Sequence, residues 1–122
     1  MTLQDIADQL VEGCRTGGED ANLTALYDRD AVSVEPADYS GTGRETVGLE
    51  GIRGKHAWWA ETFETHGTQV QGPFVHGDDR FAVIFGIDAT NRQTGERVQM
   101  QEVAVYHVFD GKIVREEFFG TG

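Results

Sequence analysis

The sequence is poor in cysteine, in basic residues and in long apolar runs, and each shortage excludes a class of protein. Its single cysteine, Cys14, rules out an internal disulfide and fits a reducing compartment. Lysine and arginine total 10 against 21 acidic residues, and the formal net charge of -11 would repel a nucleic-acid backbone or an anionic membrane surface. We find no charged leader before an apolar run and no stretch long enough to cross a bilayer, which predicts a cytoplasmic protein.

Motifs for cofactors and metals are also lacking. No GxGxxG or GxxxxGK[ST] pattern follows a predicted strand, so nucleotide binding has no support. The histidines have neither the i, i+2 nor the i, i+4 spacing of metal ligands, and HExxH does not occur. We therefore expect no cofactor and no metal site. The histidines are His56, His66, His76 and His107.

The composition that remains is that of a folded protein. Hydrophobic residues make up 39% of the 122 residues and aromatic residues 10%. This length is enough to bury a core, and it predicts one domain over residues 1–122.

A capped amphipathic helix is predicted at the start of the chain. Thr2 and Asp5 have the spacing of a capping box, and Gly17-Gly18 ends the helix. Between them, apolar residues recur at the spacing of one helical face, so the helix should pack by that face. These residues are Leu3, Ile6, Ala7, Leu10, Val11 and Cys14.

The next segment predicts a second helix, a strand and a third helix. The second helix is short and is capped by Asp20. Strand Ala31–Glu35 ends at Pro36, a loop covers Tyr39–Gly48, and the third helix covers about residues 49–66. One side of this third helix carries Ile52, His56, Trp59 and Phe63.

The second half predicts a four-stranded antiparallel meander, with strands over Gln69–His76 and Phe81–Thr90 and a final hairpin over Arg97–Phe119. Pro73 removes a backbone donor, so the first of these strands should lie at an edge or contain a bulge. Asp110-Gly111 predicts a type I′ turn in the hairpin.

Turns at Asp110-Gly111 and Asp78-Asp79, and a loop centred near Thr94 that places Phe85 opposite Val103, predict which residues share a face, because opposed residues point the same way. The predicted core face carries Val70, Phe74, Phe81, Val83, Phe85, Ile87, Val103, Val105, Phe109, Val114 and Phe118, with the polar residues His76, Gln99, Gln101, His107 and Glu116. The opposite face is half-apolar, and we expect it to form a homodimer interface. It carries Glu102, Ala104, Tyr106 and Val108.

Three stretches of the chain resemble the NTF2-like superfamily, and its SnoaL-like branch most closely. They are LYDRDAVSVEP (Leu26–Pro36), GLEGIRGKHAWW (Gly48–Trp59) and VFDGKIVREEFF (Val108–Phe119). The resemblance covers nearly the whole chain and implies an α+β cone, in which three N-terminal helices pack on a curved four-stranded antiparallel sheet plus a short first strand. This fold hosts isomerases, cyclases, dehydratases, epoxide hydrolases and non-catalytic binders.

The catalytic residues of this superfamily match the sequence only in part. Glu35, before Pro36, lies where ketosteroid isomerase has its general-base aspartate. The two oxyanion-hole donors of that enzyme correspond to Val11 and Val105, and the acid/base aspartate of SnoaL-type cyclases falls near Thr121. The resemblance thus implies an inherited cavity with one retained carboxylate.

Glu35 is the first predicted catalytic residue. A carboxylate in an apolar cavity holds its proton more tightly and becomes a usable base near neutral pH. The alternative is a strand-end glutamate that reaches solvent or caps the nearby loop.

His107 and Glu116 are the second predicted catalytic group, because they lie diagonally on the predicted core face. A hydrogen-bonded carboxylate–imidazole pair could polarise a carbonyl or move a proton. The alternative is a pair of polar residues at the wet end of the cone or at an interface, and a one-residue bulge would exchange Glu116 for Glu117.

The predicted ligand is a small, mostly apolar and cyclic molecule bound in the cone, with cofactor-free isomerase- or cyclase-type chemistry. The alternative function is a non-catalytic ligand-binding or dimerisation module. Aromatic residues of the third helix could form one wall of the pocket, although such residues are often simply core or interface. The predicted pocket residues are His56, Trp59, Phe63, Phe74, Phe85, Gln101, Val103, Val105 and Phe118.

Overall fold

The computed structural model describes residues 1–39 and 41–120, so Thr121 and Ser40, the latter within the predicted loop, lie outside the described residues. The α+β fold class is confirmed: three helices accompany a curved, unclosed sheet of six strands rather than the expected four plus one. The elements are α1 (Leu3–Thr16), α2 (Glu19–Leu26), β1 (Tyr27–Val34), β2 (Glu45–Val47), α3 (Leu49–Thr62), β3 (Phe63–His76), β4 (Arg80–Asn91), β5 (Arg97–Phe109) and β6 (Lys112–Gly120).

The strand order is β2-β1-β6-β5-β4-β3. The predicted antiparallel meander is present as β3 to β6, whereas β1 pairs with β6 in parallel. This parallel pair places Ser33 directly opposite Glu116, which are 83 residues apart in sequence. Strand β2, which extends the sheet beyond β1, lies in the segment predicted to be a loop.

Helix α1 forms as its capping signals predict. The Thr2 hydroxyl oxygen accepts from the Asp5 amide at 3.1 Å, and the Asp5 carboxylate accepts from the Thr2 amide at 3.0 Å. Gly17 ends the helix in the left-handed conformation, with φ 80°. The predicted apolar stripe is buried at Ile6, Ala7, Leu10 and Val11. Helix α2 begins one residue before the expected Asp20 cap, because Gly18 occupies the N-cap position.

Helix α3 ends at Thr62, four residues before the expected end. Residues from Phe63 onwards adopt extended backbone and pair with the end of β4, so the ladder with β4 replaces the last helical turn. Strand β3 is therefore 14 residues long; it lies at the sheet edge and its register shifts between Gln71 and Phe74, around Pro73, as predicted.

The final turn is confirmed, but the predicted register of β4 against β5 was wrong by one residue. Asp110 and Gly111 have φ 51° and 75°, and Phe109 pairs with Lys112. Asn91 pairs with Glu96, so four residues lie in the loop between them. The side-chain oxygen of Asn91 accepts hydrogen bonds from two amides of this loop. An even-numbered loop changes the face of every β5 residue relative to an odd one.

Ala104 and Tyr106 consequently face the helices and are 0% and 3% exposed, and the Tyr106 ring stacks on Phe81 with centroids 4.9 Å apart. The residues predicted for the core on β5 belong to the outer face instead. These corrected residues are Val103, Val105 and His107, which pair with Ile84, Ala82 and Arg80 of β4.

The observed strand register differs from the predicted one at two further places. A three-residue turn before β4 pairs Phe74 with Ala82, so Phe74 points outward and is 51% exposed rather than in the core. A bulge in β6 moves Glu116 opposite Tyr106. Because β5 has also changed face, the bulge keeps Glu116 inside and does not exchange it for Glu117. Phe109, expected in the core, is 74% exposed at the hairpin tip.

Candidate functional site

A buried glutamate lies on the inner face of the sheet, and both of its carboxyl oxygens accept hydrogen bonds. Glu116 is 2% exposed. The Tyr27 hydroxyl donates to its Oε1, and the Ser33 hydroxyl donates to its Oε2 at 2.7 Å. Both donors come from β1, so the parallel pairing of β1 with β6 creates this group. Two neutral donors satisfy an otherwise costly buried carboxyl group.

Lys55 of α3 connects this buried group to the edge of the sheet. Its Nζ donates to the Ser33 hydroxyl oxygen at 2.7 Å and forms an ion pair with Glu35. The same Nζ lies 5.6 Å from the centroid of the Phe118 ring, within the range of a cation–π contact. Both side chains of the ion pair are about one quarter exposed. We call the series Glu35–Lys55–Ser33–Glu116–Tyr27 the polar chain.

A third glutamate, Glu102, lies on the inner face of β5 close to the polar chain. It is half-buried and is opposite Phe85 of β4 and Gly120 of β6. The pKa of Glu102 is raised from 4.5 to about 7, chiefly by burial and also by the negative charges of Glu35 and Glu116, while the positive charge of Lys55 opposes the increase. Glu102 is therefore poised to exchange a proton near neutral pH.

An open groove of about 630 Å³ gives access to Glu102. A second groove of about 570 Å³ lies next to it along β5 and shares Gln99, Met100 and Gln101 with it. The groove beside Glu102 is lined by Pro36, Tyr39, Gln99, Met100, Gln101, Glu102 and Gly120. A molecule in this groove would contact a half-buried carboxyl group on a mixed polar and apolar surface.

The buried tyrosines around the polar chain remain protonated. Burial raises the pKa of Tyr27 and of Tyr106 well above the ordinary value, and the charge of Glu116 adds to both increases. Tyr27 is thus a permanent donor to Glu116. Burial also raises the pKa of the Cys14 thiol to about 12, as expected for a cysteine that serves packing.

The predicted catalytic residues do not all lie together. Glu35 and Glu116 both belong to the polar chain, joined through Lys55 and Ser33. The predicted contact between His107 and Glu116 was wrong, because His107 lies on the outer face with its Nε2 3.9 Å from a Glu117 oxygen.

The predicted pocket residues are spread over several environments. Phe118 contacts Lys55, Phe85 is buried in the core, and Gln101 lines the groove. Half-buried Trp59 stacks on Phe63 with centroids 4.2 Å apart. The other four lie away from the groove: His56 and Phe74 are exposed, and Val103 and Val105 are on the outer face.

Sequence reasoning missed Lys55, Ser33, Tyr27 and Glu102 as members of one site. Lys55 follows buried Ile52 by three residues, which places it beside the inward stripe of α3, and this spacing could have identified it. Ser33 shares the inward phase of Glu35 on the first strand. Glu102 could have been found only with the correct β4–β5 loop length.

The sequence matches the family model described as the SnoaL-like domain over residues 1–120. The chain belongs to the SnoaL-like domain family. This confirms the resemblance of the three stretches above. No curated protein matches the sequence at a significant level. Among the described residues, no helix of this SnoaL-like domain is both long and apolar enough to span a membrane.

Solved structures agree with the family assignment. A candidate SnoaL-like polyketide cyclase from Mesorhizobium loti, whose name also includes carbohydrate phosphatase, is 39% identical; the match covers 98% of this chain and 99% of that one, with a TM-score of 0.90. An NTF2-like protein from Burkholderia thailandensis is 20% identical over 99% and 92% of the two chains, with a TM-score of 0.84. TerC, co-crystallised with polyporic acid, is 20% identical over 91% and 85%, with a TM-score of 0.68. The last two support the fold alone.

Proposed function

We propose that this SnoaL-like domain binds a small, mostly apolar and cyclic molecule in the groove beside Glu102 and moves a proton on it without a cofactor. The observation that carries the proposal is the position of Glu102, which is half-buried, lines the groove and has a pKa of about 7. A general base works best when its pKa lies near the operating pH, and this carboxyl group meets that condition.

The reaction type that fits is proton removal next to a carbonyl group. Glu102 takes a proton from the ligand carbon and the electron pair moves to the carbonyl oxygen. In an isomerisation the proton returns at another atom; in a cyclisation the enolate carbon attacks a second carbonyl, whose oxygen then takes the proton from Glu102. These are isomerase- and cyclase-type steps, and the polyketide cyclase name of the Mesorhizobium loti relative supports them. The presence of polyporic acid with TerC supports an organic ligand for this fold.

The local charge argues against a strongly anionic ligand. Glu35 pairs with the Lys55 ammonium group, and the negative charges of both Glu35 and Glu116 act on Glu102. A phosphate ester would bring two negative charges towards these carboxylates. We therefore propose cyclase-type chemistry for this chain, in line with the first part of the relative's name, and not the carbohydrate phosphatase activity that the name also includes.

Glu35, the base expected from the resemblance, is the second candidate for this role. Its ion pair with Lys55 occupies one of its oxygens, whereas Glu102 lines the groove. We assign Glu102 as the base and Glu35 as the counter-charge of Lys55.

Hydrogen exchange on a ring ketone tests the proposal. In D₂O, wild-type protein should accelerate exchange of the α-hydrogens of 1-indanone, with a rate that rises through pH 7 as Glu102 loses its proton. Glu102→Gln should abolish the acceleration, whereas Glu117→Gln, which changes an outer-face glutamate, should retain it. Equal acceleration by both variants would exclude Glu102 as the base. Binding of the ketone without any acceleration would favour the non-catalytic binding module.

We also propose a homodimer through the outer face of the sheet. The residues first predicted for this interface were wrong, because Ala104 and Tyr106 are buried, Val108 packs against the core and Glu102 is on the inner face. The strand register instead gives the outer face a contiguous apolar patch, which we call the outer patch. It consists of Phe74, Ala82, Ile84, Val103, Val105 and Phe119.

A further inference from the structure

Lys55 has an N–H group to spare. An ammonium group carries three donors, and within residues 1–39 and 41–120 its hydrogen-bonding partners are Ser33 and Glu35. We infer that Lys55 binds the oxygen of the ligand whose proton Glu102 removes, and that Ser33 and Glu116 are positioning residues that hold the ammonium group in place. This inference rests on the proposed function and adds the group that receives the negative charge.

The hydrogen bonds of the polar chain have a fixed direction. The Ser33 hydroxyl has a single hydrogen and donates it to Glu116, so its oxygen is left to accept from Lys55. Glu116 cannot turn away, because the Tyr27 hydroxyl donates to its other oxygen. Tyr27 is 7% exposed and belongs to the hydrophobic core. The position of the Lys55 ammonium is therefore anchored to the core, and not only to a partly exposed partner.

The position suits an oxygen that becomes negative during the reaction. When Glu102 takes the proton from carbon, the electron pair moves to the carbonyl oxygen, and a preorganised ammonium donor stabilises that charge. The Lys55 ammonium lies 5.6 Å from the centroid of the Phe118 ring, and Phe118 is opposite Ala104, which is two residues from Glu102 on the same face of β5, so the sheet register brings base and donor close together. The ligand class is thus a carbonyl compound with a hydrogen on the adjacent carbon.

The composition of the chain allows a direct test of the positioning roles. Lys55 and Lys112 are its only lysines, and Lys112 reaches the Ala25 carbonyl at an exposed site, so it serves as an internal control. The protein is labelled with ¹³C and ¹⁵N in its lysines. When a lysine side chain is held in one conformation, its two Cε protons give distinct NMR signals, and when the side chain rotates freely they give one signal.

Ser33→Ala should merge the two Cε proton signals of Lys55, and Ser33→Thr, which keeps the hydroxyl, should leave them distinct. Distinct signals in Ser33→Ala would overturn the inference. Glu35→Ala, at the partly exposed end of the chain, supplies a second arm if a buried Ser33 variant does not fold. We expect distinct Lys55 signals in Glu35→Ala, and merged signals there would overturn the positioning roles of Ser33 and Glu116.

The ligand role of Lys55 is tested with 1-indanone. In wild-type protein the ketone should shift the Lys55 Nζ signal together with the Glu102 carboxyl carbon, and Lys55→Met should lower its α-hydrogen exchange rate at least tenfold. A shift at Glu102 with Lys55 unmoved would overturn this inference and leave the proposed function standing. No shift at either residue would count against the proposed function, and the Cε signals would still decide the positioning roles.

Discussion

At the scale of single residues, Glu102 couples the chemistry of the site to the stability of the fold. The unfolded chain releases this proton at the ordinary pKa of 4.5, whereas the folded protein releases it at about 7. The folded state therefore holds the proton more tightly, and the bound proton adds to the free energy of unfolding. This contribution to stability is fully present below pH 4.5 and is lost as the pH rises through 7.

A glutamine at position 102 cannot titrate, which isolates this effect. From pH 4 to pH 8, the free energy of unfolding of wild-type protein should fall relative to that of Glu102→Gln by up to about 3 kcal/mol. Urea unfolding of both proteins at pH 4, 6 and 8 measures the difference. A difference that does not change with pH would show that Glu102 titrates normally in the folded protein.

Glu116 and Glu117 are neighbours with opposite environments, and they form a matched pair of substitutions. Glu116→Ala leaves the hydroxyl groups of Tyr27 and Ser33 without their acceptor inside the protein, which should cost about 2–5 kcal/mol. Glu117→Ala removes a contact with Arg115 on the outer face and should cost about 1 kcal/mol or less. Urea unfolding at pH 7 compares the two, and equal losses would contradict the buried position of Glu116.

At the scale of elements, α3 holds Lys55 in the site but is weakly anchored. Of the α3 residues, all of which the structure describes, only Ile52 is buried. Ile52→Ala should therefore cost about 2–5 kcal/mol and loosen Lys55 as well. Trp58→Ala, at a position that is 56% exposed, should cost less than about 1 kcal/mol. Thermal unfolding ranks the two variants, and a larger loss at Trp58 would mean that the helix faces the sheet by another side.

Local signals were enough to predict most elements, whereas the faces of the strands needed more. The capping box of α1 and the Asp110-Gly111 turn act within a few residues, and both formed as predicted. The face of every β5 residue depends on whether the loop after Asn91 holds an odd or an even number of residues. Composition does not determine that number, so the inner and outer faces of β5 were exchanged.

The only part of the site that could be predicted is the part that follows from the alternation of side chains along a single strand. Glu35 and Ser33 share the inward phase of the first strand, which the sequence shows directly. The contact of Ser33 with Glu116 depends on a parallel pairing between strands far apart in sequence, and no turn or cap signals such a pairing. Lys55 joins the site only once α3 is packed on β1.

At the scale of the whole molecule, the outer patch is an apolar surface on one face of the sheet that no part of the described chain covers. Rows of the sheet place Ile84, Val103 and Phe119 side by side, with Ala82, Val105 and Phe74 in the next row. Phe74 and Phe119 are about half exposed, which is unusual for large apolar residues that lie together on one face. A two-fold contact between copies of the chain would bury this surface.

The homodimer is tested by placing a charge within the outer patch. At micromolar concentration, sedimentation equilibrium should give a mass twice the 13.5 kDa of one chain, and Val105→Lys should give 13.5 kDa with an unchanged circular dichroism spectrum. Phe109→Lys is the control, because Phe109 is 74% exposed at the hairpin tip, outside the patch, and this variant should remain dimeric. Tyr106, which the sequence placed at this interface, is 3% exposed, so a charged residue there would disrupt the core and would not test the dimer. A wild-type mass of 13.5 kDa, or a dimeric Val105→Lys protein, would show that the outer patch is not the interface.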